Sequence, residues 1–159
     1  MSEFTEHITI SASQERVWAV LADIGRIADW NPGVKHSQQT SVGDVAEGAT
    51  RRCELGGKNY LDEEVVLFEP YHRMTIRITD SNLPFKSADI RFTIEPSGAH
   101  TIVSVSPDYQ LKYGWVGRLL DRLMVRAQYH KGMQGLLQGL KTHIEIKPGS
   151  EHVVEQAHR

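Results

Sequence analysis

SADIRFTIEPSGAHTIVSVSPDYQLKY, residues 87–113, is the stretch that decides the fold. Apolar side chains recur at alternate positions through 87–95 and again through 101–113, a pattern typical of strands with one buried face. Pro96-Ser97-Gly98 is a turn signal between the two runs. Because consecutive strands joined by a short turn pair antiparallel, this stretch predicts part of an antiparallel meander.

The same period of two continues upstream. It predicts strands at 34–40, 49–55, 59–69 and 73–79, with a hairpin at Gly56-Gly57 where positive φ angles cost little. We expect residues 34–113 to be almost wholly antiparallel strand, with no helix longer than two turns. Before them, 4–10 predicts a first strand. Two short helices follow, the first capped by Ser11 with Gln14 or by Ser13, and the second ended by Asn31-Pro32-Gly33.

Downstream, Gly114 precedes the longest helical segment, predicted over 115–144. Gly132, Gly135 and Gly139 inside it each cost roughly 0.5–1 kcal/mol relative to alanine. Either a close approach to the sheet or a slight bend would explain them. Lys147-Pro148-Gly149 predicts the helix end, which makes 1–147 one domain and 148–159 a flexible tail. The residues predicted on the helix's inner face are Val116, Leu119, Leu120, Leu123, Ala127, Met133, Leu137 and Ile144.

Composition narrows the classes of function. The chain has 159 residues, a net charge of -2 and one cysteine, Cys53, so no internal disulfide is possible. The absence of a basic excess argues against nucleic-acid binding. No apolar run predicts a signal peptide or integral membrane association, so a cytoplasmic location is expected. We find no spacing typical of a metal site, a nucleophile elbow or a phosphate loop, and expect no metal and no cofactor.

Several motifs resemble one superfamily. The strand and helix start at 8–18 resemble its Ala-Ser-x-Glu-x-Val-Trp opening, and 48–51 is similar to its Gly-x-x-Arg strand start. The stretches that carry the resemblance are ITISASQERVW (8–18), LADI (21–24), WNPGV (30–34), GATR (48–51) and EEVVLFEP (63–70). They resemble the START-like, or Bet v 1-like, superfamily of polyketide cyclase/dehydrase and lipid-transport proteins, over residues 4 to about 145.

The resemblance implies an α+β helix-grip fold, in which a curved antiparallel sheet of about seven strands wraps a long C-terminal helix. Such a sheet encloses space that one helix does not fill, and usual ligand sites of this kind measure about 300–1,000 Å³. We expect an apolar pocket between the sheet and residues 119–137. Its expected ligand-binding residues are Trp30, Met74, Ile76, Ile90, Phe92, Val105, Tyr109, Leu123, Arg126, Ala127, His130 and Met133.

Polar groups on the apolar side are the candidates for chemistry. His130 lies near the middle of the helix's apolar arc and Arg126 on its flank, where the pair could orient a ligand carbonyl, phenol or carboxylate. The alternative is a structural His130 bonded to a backbone carbonyl or to Glu63 or Glu64, with Arg126 reaching outward. A further hypothesis has His130 or Tyr109 transferring protons.

Glu63 and Glu64 are adjacent in a predicted strand, so one of them faces inward. The inward carboxylate is either a salt-bridge partner of Arg52 or Arg126, or a contact of the ligand, because a buried carboxylate needs a partner. The sequence leaves open which of the two it is. Both are candidate catalytic residues.

Three functions stay open. The first is binding or transport of a small hydrophobic molecule such as a lipid, polyketide or aromatic metabolite. The second is an enzyme of the cyclase, aromatase or dehydratase type, which needs at least two polar groups converging in the cavity. The third is an interaction module, such as a chaperone activator, which needs a filled core and an exposed apolar patch. The resemblance does not choose among them, because a fold alone does not fix function.

Overall fold

The computed structural model describes residues 2–120 and 124–157. Two helical segments follow the N-terminal strands: α1 at Gln14–Ala22 and a 3₁₀ helix at Ile24–Asp29. The C-terminal part holds α2 at Gly114–Leu120 and α3 at Arg126–Ala157. The strands are β1 (Ser2–Glu3), β2 (Glu6–Ile10), β3 (His36–Gln39), β4 (Thr50–Gly56), β5 (Asn59–Glu69), β6 (Arg73–Ser81), β7 (Phe85–Ser97) and β8 (His100–Leu111).

The sheet is a single antiparallel meander. From β3 to β8 each strand pairs with the next one along the chain, and β8 then pairs with both β1 and β2. Because β1 and β2 follow each other along one side of β8, the eight strands occupy seven positions. The predicted helix-grip fold is confirmed, and so is the absence of long helices from 34–113. Gly56 and Gly57, at φ 105° and 59°, form the predicted hairpin.

The start of α1 resolves one alternative. Ser13 is the N-cap, and its side chain accepts a hydrogen bond of 3.2 Å from the backbone N–H of Arg16. Ser13 therefore fills the capping role rather than Ser11. The backbone N–H of Ser11 instead donates to the Glu145 carboxylate on α3 at 2.7 Å, which joins the end of β2 to the C-terminal helix.

The C-terminal helix differs from the prediction near its start. Within the described residues, α2 covers Gly114–Leu120, and Met124 and Val125 form a wider π turn directly before α3. An extra residue in a turn rotates the following side chains by about 100°, so one apolar arc does not extend through both parts. Val116, Leu119 and Leu120, predicted to face inward, are exposed. Leu123 lies outside the described residues.

The predicted helix end at Lys147-Pro148-Gly149 is wrong, because α3 continues to Ala157. Proline lacks an N–H, so Pro148 leaves the carbonyl of Ile144 without its helical donor. The guanidinium of Arg16 on α1 donates to that carbonyl at 3.0 Å. This side-chain donor compensates for the hydrogen bond that would otherwise make proline end the helix. The division into a domain at 1–147 and a flexible tail stays a prediction.

A close contact fixes α3 against the loop after the 3₁₀ helix. A Cβ added at Gly139 would lie 2.0 Å from the carbonyl oxygen of Trp30, so only glycine fits there. A Cβ added at Gly132 would have no neighbouring atom within 4 Å. Close packing therefore explains Gly139 but not Gly132. The neighbour of Gly139 is the Trp30 backbone rather than the sheet, so neither expected explanation applies at this position.

These two glycines form a matched pair for a stability test. We expect Gly139→Ala to destabilise the protein by roughly 1–3 kcal/mol, because overpacking forces the backbone at Trp30 to move. Gly132→Ala should leave stability unchanged or raise it by roughly 0.5–1 kcal/mol, since alanine is the better helix former. Urea unfolding followed by circular dichroism measures both. Equal effects at the two positions would contradict the packing argument.

Candidate functional site

A cavity of about 210 Å³ lies between the sheet, the loop after the 3₁₀ helix and the first half of α3. It is smaller than the expected range, and its walls are mostly apolar. Its lining residues are Ile27, Asn31, Gly33, Val34, Arg51, Cys53, Leu55, Leu61, Glu63, Ile78, Leu83, Phe85, Ile90, Phe92, Tyr129, Gly132, Met133 and Leu136.

One wall of the cavity is polar because of a buried ion pair. Arg51 on β4 and Glu63 on β5 are direct cross-strand partners, and their side chains are 5% and 2% exposed. The Arg51 Nε donates to Glu63 Oε1 at 2.9 Å, and its Nη1 donates to the carbonyl of Ile24 at 3.2 Å. The thiol of Cys53 donates to the same carboxylate oxygen at 3.3 Å. The sheet thus presents one charged group of each sign to the cavity.

Burial and charge set the protonation of this wall. Burial by itself lowers the pKa of Arg51, but Glu63 and Cys53 together outweigh it and the net pKa is raised, so the guanidinium stays charged. Burial raises the pKa of the Cys53 thiol to about 12, against an opposing effect of Arg51. At neutral pH Cys53 is therefore a protonated hydrogen-bond donor rather than a nucleophile.

Tyr129 on α3 supplies a further polar group to the cavity lining. Its ring stacks on Tyr109 with centroids 4.7 Å apart and meets Phe85 edge-on at 6.0 Å. Burial, with the negative charge of Glu63, raises the pKa of the Tyr129 phenol, so it stays protonated. The influence of Glu63 places the carboxylate and the phenol in one electrostatic environment.

Of the predicted ligand-binding residues, Ile90, Phe92 and Met133 line this cavity. Glu63 is the glutamate that faces inward, while Glu64 is half-buried on the opposite face. The partner of Glu63 is Arg51, not Arg52 or Arg126. Arg52 pairs instead with Asp62 at 2.9 Å on the outer face. The predicted residues that pack into the core without lining this cavity are Trp30, Met74, Ile76, Val105 and Tyr109.

His130 does not line the cavity, contrary to the prediction. Its Nδ1 lies 2.7 Å from the carboxylate of Glu6 on β2, and its ring stacks on Phe4 with centroids 3.6 Å apart. The middle of the helix's apolar arc faces the N-terminal strands because α3 packs chiefly against β2. His130 therefore has a glutamate partner, but a different one from the two considered.

The other two helical candidates also lie away from the cavity. Arg126 donates to the backbone carbonyl of Glu3 at 3.2 Å, and its guanidinium carbon lies 5.6 Å from the centre of the Phe4 ring. Ala127 is exposed.

Sequence reasoning missed Arg51, Cys53 and Tyr129 as site residues. For the first two a signal was present, because Arg51, Cys53 and Leu55 alternate along one predicted strand and must share a face. Tyr129 carried no comparable signal. It is next to His130, and a shift of about 100° between neighbouring helical residues decides which of them meets the cavity.

A curved antiparallel sheet that holds a C-terminal helix over a mostly apolar cavity defines a helix-grip ligand-binding fold. The chain belongs to the family described as polyketide cyclase / dehydrase and lipid transport, whose model matches residues 1–145. That family is built on a fold that binds hydrophobic ligands. No curated protein matches the sequence. Among the described residues, no helix is both long enough and apolar enough to cross a membrane.

Solved structures share the fold at low sequence identity. A START superfamily protein from Mycobacterium smegmatis is 18% identical with a TM-score of 0.75, covering 90% of this chain and 97% of that one. The Zhui aromatase/cyclase from a Streptomyces species is 15% identical with a TM-score of 0.72, covering 92% and 97%. Major latex-like protein 151 from Panax ginseng is 13% identical with a TM-score of 0.72, covering 91% and 97%.

Neutralising one partner of the buried pair tests its energetic role. We expect Glu63→Gln to destabilise the protein by roughly 3–5 kcal/mol, because it leaves the Arg51 charge buried and unpaired. Asp62→Asn removes the neighbouring pair on the outer face, where the side chains are 38% and 32% exposed, and should cost about 1 kcal/mol or less. Chemical denaturation of the two variants gives the comparison. A small effect at Glu63 would show that water reaches the pair.

Proposed function

We propose that the protein binds a compact, largely apolar molecule that carries a hydrogen-bonding group, and holds it in the cavity between the sheet and α3. The observation that carries the proposal is the buried pair of Arg51 and Glu63 on the sheet, with Tyr129 from α3, in a cavity whose lining is mostly apolar. Sites of this composition gain affinity from apolar contact and orientation from a few polar groups. The family's hydrophobic-ligand-binding fold supports the same reading.

The cavity's size favours one class of ligand. An engineered apolar cavity of about 150 Å³ is enough to hold benzene. At about 210 Å³ this cavity suits one or two fused rings better than an extended acyl chain. The polar wall favours a ligand with a phenol, carbonyl or carboxylate, since Arg51 and Tyr129 are donors and Glu63 is an acceptor.

The binding proposal can be tested with two probes of nearly equal shape, 2-naphthol and naphthalene. In Tyr129→Phe the ring that stacks on Tyr109 remains and only the hydroxyl is lost. We expect the affinity for 2-naphthol to fall about tenfold at most, as for one hydrogen bond, while the affinity for naphthalene is unchanged. Isothermal titration or competition with a fluorescent probe measures both affinities.

The matched control is Tyr113→Phe, which removes a hydroxyl from a tyrosine that is 70% exposed and does not line the cavity. It should bind both probes as the unaltered protein does. Leu61→Trp adds bulk to the cavity wall and should lower the affinity for both probes. Circular dichroism checks that this variant folds. Binding of neither probe by the unaltered protein would refute the proposal.

A second candidate is an enzyme of the aromatase/cyclase type, which the polar wall also favours. Glu63 carries an acceptor carboxylate, and Tyr129 a protonated phenol, so one cavity holds a potential base and a potential acid. Incubation with a short β-polyketone and mass spectrometry of the products separates the candidates. An aromatic product lost in Tyr129→Phe supports the enzyme, and unchanged polyketone supports the carrier. A pure interaction module fits less well, because it has no need of a cavity with a polar wall.

A further inference from the structure

Exposed apolar side chains are concentrated at α2. Tyr113 and Trp115 are each 70% exposed and Met124 is 58% exposed, although residues of these types usually avoid water when a core is available. Contiguous apolar surface on a folded protein marks a site of interaction. We call this surface the α2 patch, and its members are Tyr113, Trp115, Val116, Leu119, Leu120 and Met124.

The backbone presents the patch outward. Tyr113 and Gly114 both have positive φ angles, 77° and 54°, which turn the chain sharply between β8 and α2. At about 100° per residue, Trp115, Val116, Leu119 and Leu120 then cover roughly 140° of the helix, and Arg118 lies outside that arc. A short helix with one broad apolar face and a basic residue beside it has the form of an interfacial helix.

The charged residues near the patch along the chain are mostly basic. Within the described residues 112–120 and 124–134 there are four basic side chains, Lys112, Arg118, Arg126 and Lys131, and no acidic one. The residues between these ranges add one acidic and one basic residue, which cancel. The whole chain nevertheless carries a net charge of -2, so this region opposes the overall balance. Basic residues beside an apolar surface attract anionic headgroups.

We propose that the α2 patch docks on the surface of a bilayer that contains anionic lipid. Trp115 and Tyr113 have the amphipathic rings that settle at the level of the headgroups, and Leu119 and Leu120 would enter the acyl boundary. Arg118 and Lys112 would meet phosphate groups. A bilayer fits better than a protein groove because the apolar arc is broad and the charged side chains near it along the chain are mostly basic.

The patch is also connected to the cavity. The backbone N–H of Lys112, next to the patch, donates to the carbonyl of Pro84 at 2.9 Å. The residues on either side of that proline, Leu83 and Phe85, line the cavity. A bilayer against the α2 patch would therefore lie beside one wall of the cavity. The inference goes beyond ligand binding, and its test needs no ligand.

Vesicle binding tests the inference directly. The full chain is mixed with vesicles of equal parts phosphatidylcholine and phosphatidylglycerol, or of phosphatidylcholine alone, and bound protein is separated by flotation. We expect binding to the anionic vesicles that weakens as salt is added. Trp115→Ala should lower the partition coefficient at least about tenfold, and Arg118→Gln about fivefold. Val42→Ser, which alters a fully exposed valine away from the patch, should bind normally.

The depth of insertion has its own readout. Trp18 and Trp30 are each only 6% exposed, so a change in tryptophan fluorescence on addition of vesicles reports chiefly on Trp115. Brominated acyl chains should quench that emission, and the quenching should disappear in Trp115→Phe while vesicle binding persists.

Two results would overturn the inference. One is the absence of binding to anionic vesicles at low salt, or binding that Trp115→Ala does not weaken. The other is a dimer in lipid-free solution that Trp115→Ala converts to a monomer, because the patch would then be covered by a second copy of the chain. Light scattering of both proteins without lipid decides this second case. Either result leaves the probe-binding test of the cavity unaffected.

Discussion

Two opposite charges, on Arg51 and Glu63, lie side by side on neighbouring strands with almost no contact with water. Removing an ion from water costs several kcal/mol, so each charge requires the other. A slip of β4 by one residue would turn Arg52 inward and Arg51 outward, and would break the match to Glu63. With the outer pair between Arg52 and Asp62, the buried pair specifies one register for β4 and β5.

The same pair shapes the space beside it. Arg51 also donates to the Ile24 carbonyl, which connects the sheet to the 3₁₀ helix that precedes the Asn31–Val34 side of the cavity. Apolar side chains that closed over both charges would have to leave their remaining polar atoms without partners, at a cost comparable to a lost hydrogen bond for each. A polar wall facing a cavity is therefore the arrangement that the pair favours. The register of the two strands and the proposed ligand binding thus depend on the same ion pair.

The sheet was predictable from the sequence and the helix faces were not, for a physical reason. A strand repeats every two residues, so one apolar run such as 87–95 fixes which side chains face inward. In a helix, the inward face depends on cumulative rotation, and the π turn at Met124 and Val125 changes that rotation without any mark in the apolar pattern. A constant rotation of 100° per residue predicts that His130 faces the cavity, whereas its neighbour Tyr129 lines it. Which of Glu63 and Glu64 faces inward depends on the register between β4 and β5. In the structure that register pairs Arg51 with Glu63.

The C-terminal segment differs in packing from one end to the other. Around Gly139, α3 touches the Trp30 backbone so closely that no side chain fits, which holds that part of the helix in place. At α2 the apolar side chains are exposed and have few buried contacts to resist displacement. Segments with little buried apolar contact open at lower free energy than the core. Lys112, two residues before α2, is hydrogen-bonded to the Pro84 loop beside the cavity. If both proposals hold, a ligand that arrives from a bilayer would therefore enter by displacing the loosely packed α2 while the helix around Gly139 stays fixed.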